Sequence, residues 1–150
     1  MRKSILDEDL VLLDYEASSR DDLLKSLGQV LLEKGYVKPS YIQSLIEREN
    51  RYPTGLDTHG VQVAIPHTNS IHVNKTAVLV AKLKKPIVFK DMANEANEVS
   101  AKIIFMIAMK NPEEQLSTLS KLMDIFSNHE KLLHLKNCQD EKNIIQILLS

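Results

Sequence analysis

The stretch "VAIPHT" (Val63–Thr68) ends an apolar run on a proline and then presents a histidine. Pro66 has a fixed φ and no amide hydrogen, so it ends strand pairing and holds Ile65 extended. The imidazole of His67 therefore sits on a stiff backbone at a strand terminus, where open α/β folds place their sites. A neutral imidazole nitrogen is a competent nucleophile near neutral pH. On this local pattern alone, a bystander histidine in a surface loop is the commoner reading.

Arg48, between Glu47 and Glu49, is the second candidate. A guanidinium offers paired donors that match a phosphoryl group. The competing reading is a solvated helix arginine within a charge run. His59 and His72 fall in turn-rich stretches, and His129 and His134 in charged helical surroundings. Cys138, in "KNCQDEK", lacks the Cys-X-X-Cys or basic setting of a reactive thiol.

Several chemistries lack their residues. The four glycines, Gly28, Gly35, Gly55 and Gly60, form neither a Walker loop nor a dinucleotide fingerprint. No nucleophile elbow is present. His67 and His72 are five apart, not at the i, i+4 spacing of a helical zinc site, and Asp57 is the only acid near them. Neither a metal nor a cofactor is expected.

Elements must hold these residues in place. "LVLLDYEA" (10–17) reads as a first strand. A helix is expected over 18–35, with Ser18 or Ser19 as its cap, Asp21 or Asp22 at the third position, and Gly35 ending it in a left-handed conformation. A second helix starts near Pro39 and Ser40, with Ile42, Leu45, Ile46 and Glu49 on one side and Arg48 pointing elsewhere. "RYPTGLDTHG" breaks regularity. "VQVAI" alternates as a short strand leading to His67, and "KTAVLVAKL" follows. "AKIIFMIAM" has the continuous apolar character of a central strand covered on both faces. "NPEEQLSTLSKLMDIFSN" starts a helix at Pro112, with Leu116, Leu119, Leu122, Met123 and Phe126 as its stripe. "DEKNIIQILLS" reads as a C-terminal helix. The order β-α-α-β-β-β-α-α predicts one layered α/β domain over 1–150, with a mixed sheet of about five strands and helices on both faces.

The bulk composition agrees. The 150 residues are 43% apolar and 26% charged, with a net charge of −1, as in ordinary globular domains of this size. No basic patch tracks a phosphate backbone, so nucleic acid is not an expected partner. A single cysteine excludes an intramolecular disulfide framework and fits a reducing cytosol. The N-terminus meets Asp7, Glu8 and Asp9 before any long apolar run, unlike a signal peptide. No run approaches the ~20 residues of a membrane span. A cytoplasmic setting without membrane insertion is expected.

Taken together, "RENRYPTGL", "VQVAIPHT" and "NPEEQLSTLSKL" resemble the fructose/mannitol-type enzyme IIA domains of the bacterial sugar phosphotransferase system. "AIPHTNSIH" and "NPEEQL" are most similar to the galactitol branch. The resemblance covers nearly the whole chain and overturns the bystander reading of His67. It implies a phosphotransferase with a phosphohistidine intermediate. His67 would carry the phosphoryl group, Arg48 would help hold it, and Thr54 would lie close by as a binding residue. Where the family often has a second histidine at the start of a later helix, this chain has Gln115. Thr68 stands where the family usually has a smaller residue. The implied partners are the phosphocarrier protein HPr as donor and a cysteine of a separate IIB component as acceptor. Two alternatives share these residues: a regulatory phospho-acceptor of the nitrogen type, and a IIA-like binding module outside transport. Neither the sugar nor the oligomeric state is fixed by the resemblance.

Overall fold

A computed structural model describes all 150 residues. Five strands form one mixed sheet: β1 (Val11–Tyr15), β2 (Gly55–Leu56), β3 (Val63–Ala64), β4 (Ala77–Lys90) and β5 (Glu98–Ala108). Their spatial order is β1-β4-β5-β3-β2. β4 and β5 are an antiparallel pair, β1 runs parallel to β4, and β3 runs parallel to β5. Five helices cover the sheet: α1 (Arg20–Glu33), α2 (Tyr41–Arg51), α3 (Pro112–Phe126), α4 (His129–Asn137) and α5 (Glu141–Leu149).

The apolar runs are explained by two cores, one on each face. Val78 and Val80 of β4 and Ile103, Phe105 and Ile107 of β5 pack with residues of α3, α4 and α5. Their alternate neighbours Ala77, Leu79, Ala81, Ile104 and Met106 pack with α1 and α2. Side chains alternate across a pleated strand, so a central strand must be apolar at every position. The expected α/β domain with helices on both faces is the one found.

Local signals account for most boundaries. Ser19 Oγ accepts the Asp22 amide to cap α1, and Gly35 follows with φ +82°. Asn111 caps α3 through the Glu113 amide, with Pro112 in the first turn, where no amide hydrogen is needed.

Four expectations change. "VQVAI" pairs as a strand only at Val63–Ala64, and the irregular 51–60 stretch contains the two residues of β2. β4 continues past Leu83 to Lys90, because a register shift between Lys82 and Ile87 absorbs Pro86. A separate helix, α4, intervenes before the C-terminal one, capped by Asn128. On α3 the buried face is Thr118, Leu122, Ile125 and Phe126, whereas Leu116 is 73% exposed. The stripe sits one residue away from its expected centre, which turns Leu119 and Met123 toward the cleft described next.

Candidate functional site

The backbone that carries His67 is tied to two neighbours. The Ile65 amide donates to the Thr54 carbonyl at 3.2 Å, and the Ile107 amide donates to the Pro66 carbonyl at 3.0 Å. His67 thereby continues alongside β5 after β3 has ended. Its side chain is 9% exposed, and Nδ1 lies 2.7 Å from the Ile65 carbonyl oxygen. A carbonyl oxygen can only accept, so Nδ1 carries the hydrogen. In the neutral ring the lone pair is then on Nε2. Burial lowers the His67 pKa, the Arg48 charge lowers it further, and the Ile65 hydrogen bond opposes both. Burial thus favours the neutral ring, with Nε2 as its unprotonated nitrogen.

Arg48 projects from α2 because the opposite face is committed to the core. Tyr41, Leu45 and Glu49, four residues apart, are the buried positions of that helix. Ile42 and Ile46, expected beside them, are half-buried. The Tyr41 hydroxyl donates to the Ile107 carbonyl at 2.8 Å and anchors α2 to β5 beside the histidine. The exposed Arg48 guanidinium lies 4.8 Å above the Tyr52 ring. No carboxylate pairs with it, so its donors remain available to a guest anion.

His67 and Arg48 line one cleft of about 520 Å³ with Arg51, Tyr52, Thr54, Leu119 and Met123. Asp91 and Met92, at the tip of the β4–β5 hairpin, form its far wall. The hairpin is held there by the Met92 amide, which donates to the Gly55 carbonyl at 2.8 Å. Gly55 is required by this approach: a Cβ there would stand 2.6 Å from the Lys90 carbonyl oxygen.

The structure brings Thr54 to the cleft but turns its hydroxyl inward. Thr54 Oγ1 donates to Glu49 Oε1 at 2.7 Å, and its amide donates to Glu49 Oε2 at 2.6 Å. Gln115, half-buried in the first turn of α3, lines a smaller adjoining recess of about 170 Å³ with Arg48, Thr68, Asn69 and Ser70. His67 does not line that recess, and Arg48 borders both spaces. The Thr68 hydroxyl lies 2.6 Å from that of Ser44, so one hydrogen of the pair is used internally and the other is free.

The remaining histidines lie elsewhere. His72 Nδ1 meets the Ser40 hydroxyl at 2.7 Å, while His59, His129 and His134 are exposed. No three His, Cys, Asp or Glu side chains converge as a metal site would require. Sequence reasoning missed the Glu49–Thr54 clamp and the Ser44–Thr68 pair. A signal for the first was present: Glu49 falls on the apolar side of α2, and a carboxylate there needs partners.

The site is an open cleft at the end of a mixed sheet, with a buried histidine and an arginine that no carboxylate pairs with. The same fold occurs in the complex of the mannitol enzyme IIA and phosphorylated enzyme IIB from Escherichia coli, with a TM-score of 0.78 at 22% identity, covering 96% of each chain. Residues 4–150 match the family "Phosphoenolpyruvate-dependent sugar phosphotransferase system, EIIA 2", and the chain belongs to that family. The mannitol-specific phosphotransferase enzyme IIA component of Halalkalibacterium halodurans is 34% identical over 144 residues, 93% of each protein. The galactitol-specific EIIA component of Escherichia coli K12 is 31% identical over 100 residues, 67% of this chain. That match spans 66% of the galactitol relative. No helix of the chain is long and apolar enough to cross a membrane.

Proposed function

We propose that the chain accepts a phosphoryl group from phosphorylated HPr onto Nε2 of His67 and passes it to a cysteine of a IIB component, as a cytoplasmic step in the uptake of galactitol. The observation that carries this reading is the Nδ1 hydrogen bond to Ile65, which leaves Nε2 as the nucleophile. The Nε2 lone pair attacks phosphorus, a new N–P bond forms, and the bond to the donor histidine breaks with its electron pair. The Ile65 carbonyl stabilises the positive charge that develops on the ring by keeping the Nδ1 proton. In the return step a thiolate sulfur attacks phosphorus, and the N–P electrons go back to Nε2.

Charge in such a transfer lies on the equatorial oxygens of a loose transition state. Donors therefore matter more than an acid or base. Arg48 supplies the charge and Gln115 an uncharged amide from the adjoining recess. Thr54 acts from the cleft floor, where its hydroxyl hydrogen is already used. Galactitol is taken from the likeness to the galactitol-specific relative, and the mannitol-specific relative makes mannitol the alternative sugar.

The test is phosphoryl transfer from labelled phosphoenolpyruvate through enzyme I and HPr to the wild type and to His67→Ala, then onward to a IIB protein. Label on the wild type alone, labile to acid and stable to base, is the expected result. Label that reaches the wild type but never a IIB protein would instead mark a regulatory acceptor.

A further inference from the structure

We infer that Glu49 is a positioning residue for the chemistry of His67, acting on the imidazole through the hydrogen-bonded backbones of Thr54 and Ile65. This rests on the carrier reading proposed above. Glu49 is 2% exposed, and both of its oxygens accept from one residue, Thr54. The Thr54 carbonyl accepts the Ile65 amide at 3.2 Å. The Ile65 carbonyl accepts Nδ1–H of His67 at 2.7 Å. The run passes through the backbones of Thr54 and Ile65, so a shift of Thr54 is carried to the strand end that holds the ring.

A carboxylate at this place does more than fill space. An apolar side chain of similar size would fill the space without the desolvation cost of a charge. It could not fix both the amide and the hydroxyl of Thr54. Burial raises the Glu49 pKa overall, against the two Thr54 bonds and the charges of Arg20 and Arg48, which pull it down. Both oxygens accept and neither faces an acceptor, so the ionised form is the one this geometry fits. Bonds to a carboxylate are shorter and stronger than neutral ones, so the pair holds Thr54 firmly in place. Arg20 is already engaged by Asp21 and Asn50.

The experiment compares wild type, Glu49→Gln and Thr54→Val by single-turnover phosphorylation from phosphorylated HPr, and by ¹⁵N NMR of the His67 ring without any donor. A carboxamide presents NH2 to one of the two Thr54 donors, so Glu49→Gln breaks half of the clamp. The expected results are a rate about tenfold to a hundredfold lower, the loss typical of a misplaced reacting group, and a ring that populates both neutral tautomers. In the wild type, Nδ1–H alone is expected. Ile144→Val, a buried change in α5, controls for lost stability and should alter neither readout. If Glu49→Gln does not fold, Thr54→Val, which leaves the carboxylate in place, decides by the same readouts. A folded variant with the wild-type tautomer overturns the inference, whether or not its rate has fallen. If the wild type takes no label from HPr, the carrier reading fails, and the donor-free tautomer measurement still decides for or against the link from Glu49 to His67.

Discussion

Nδ1 of His67 lies 2.7 Å from the carbonyl oxygen of Ile65, two residues earlier in the chain. Pro66 between them makes this contact possible, because its fixed φ turns the ring back over the strand end it has just terminated. The tautomer of the histidine is thus fixed by the backbone two residues before it.

The pH dependence follows from that arrangement. Burial, with help from Arg48, depresses the His67 pKa below its ordinary 6.5. Phosphorylation should be flat with pH above that value and fall only as the pH drops through the depressed pKa. The unfolded chain binds this proton at higher pH than the folded one, so folding stability is unaffected above about pH 6.5. Below it, stability is lost progressively until the folded-state pKa is passed. Rates between pH 5 and 8, beside ring titration by NMR, check this. A rate midpoint above 6.5 would contradict it.

Arg48 is exposed and unpaired, so its removal should cost transfer and not folding. A single donor to developing transition-state charge is worth ~2.7–4 kcal/mol, which sets Arg48→Ala about 10²–10³-fold slower. Arg48→Lys keeps the charge and loses the fork, and should recover part of the rate. Thermal melting of both variants should match the wild type. Unchanged kinetics for Arg48→Ala would return this residue to the solvated helix surface.

Gly55→Ala tests the hairpin wall. The added methyl would stand 2.6 Å from the Lys90 carbonyl oxygen, a backbone atom that cannot swing aside. Relieving the overlap moves either the Asp91–Met92 tip or the Thr54 backbone. A loss of ~1–3 kcal/mol of stability, the usual cost of overpacking, should therefore come with slower phosphorylation. Denaturant melts and single-turnover rates measure the two together. A variant as stable as the wild type would show that the hairpin yields freely.

How much of this could be read from the sequence depends on where each constraint originates. Pro66 and the Asn111-Pro112 helix start declare themselves, because a missing amide hydrogen acts locally. The run from Ala101 to Met109 declares a central strand for the same kind of reason: nothing polar could be tolerated on either face. β2 could not be read, since its two residues pair only because β3 and the hairpin tip come to them from elsewhere in the chain. Leu116 misled because an apolar residue at helical spacing carries no label for the side it faces. Thr54 was recognised only through the resemblance, and its bond to Glu49 closes a turn whose shape the intervening residues do not announce. The placement of Gln115 beside Arg48 likewise needs α2 and α3 to meet at the end of the sheet.

Gln115 stands where the resemblance implies a second histidine. It lines the recess that Arg48 shares with the histidine cleft, and its side chain has no partner in the protein. An amide donates hydrogen bonds without charge and does not titrate near neutrality. If that donor reaches the phosphoryl oxygens, Gln115→Leu should slow transfer about tenfold to a hundredfold, as expected for one bond of ~1.5–3 kcal/mol to a charged group. Gln115→Glu should be slower still, because it sets a negative charge beside an incoming dianion. Gln115→His should retain transfer and acquire a second pH dependence near the ordinary imidazole value of ~6.5. The position is half-buried on the first turn of α3, so all three variants should fold. Single-turnover phosphorylation of the three between pH 6 and 8 separates these outcomes. Equal rates for Leu, Glu and wild type would place Gln115 outside the path of the phosphoryl group.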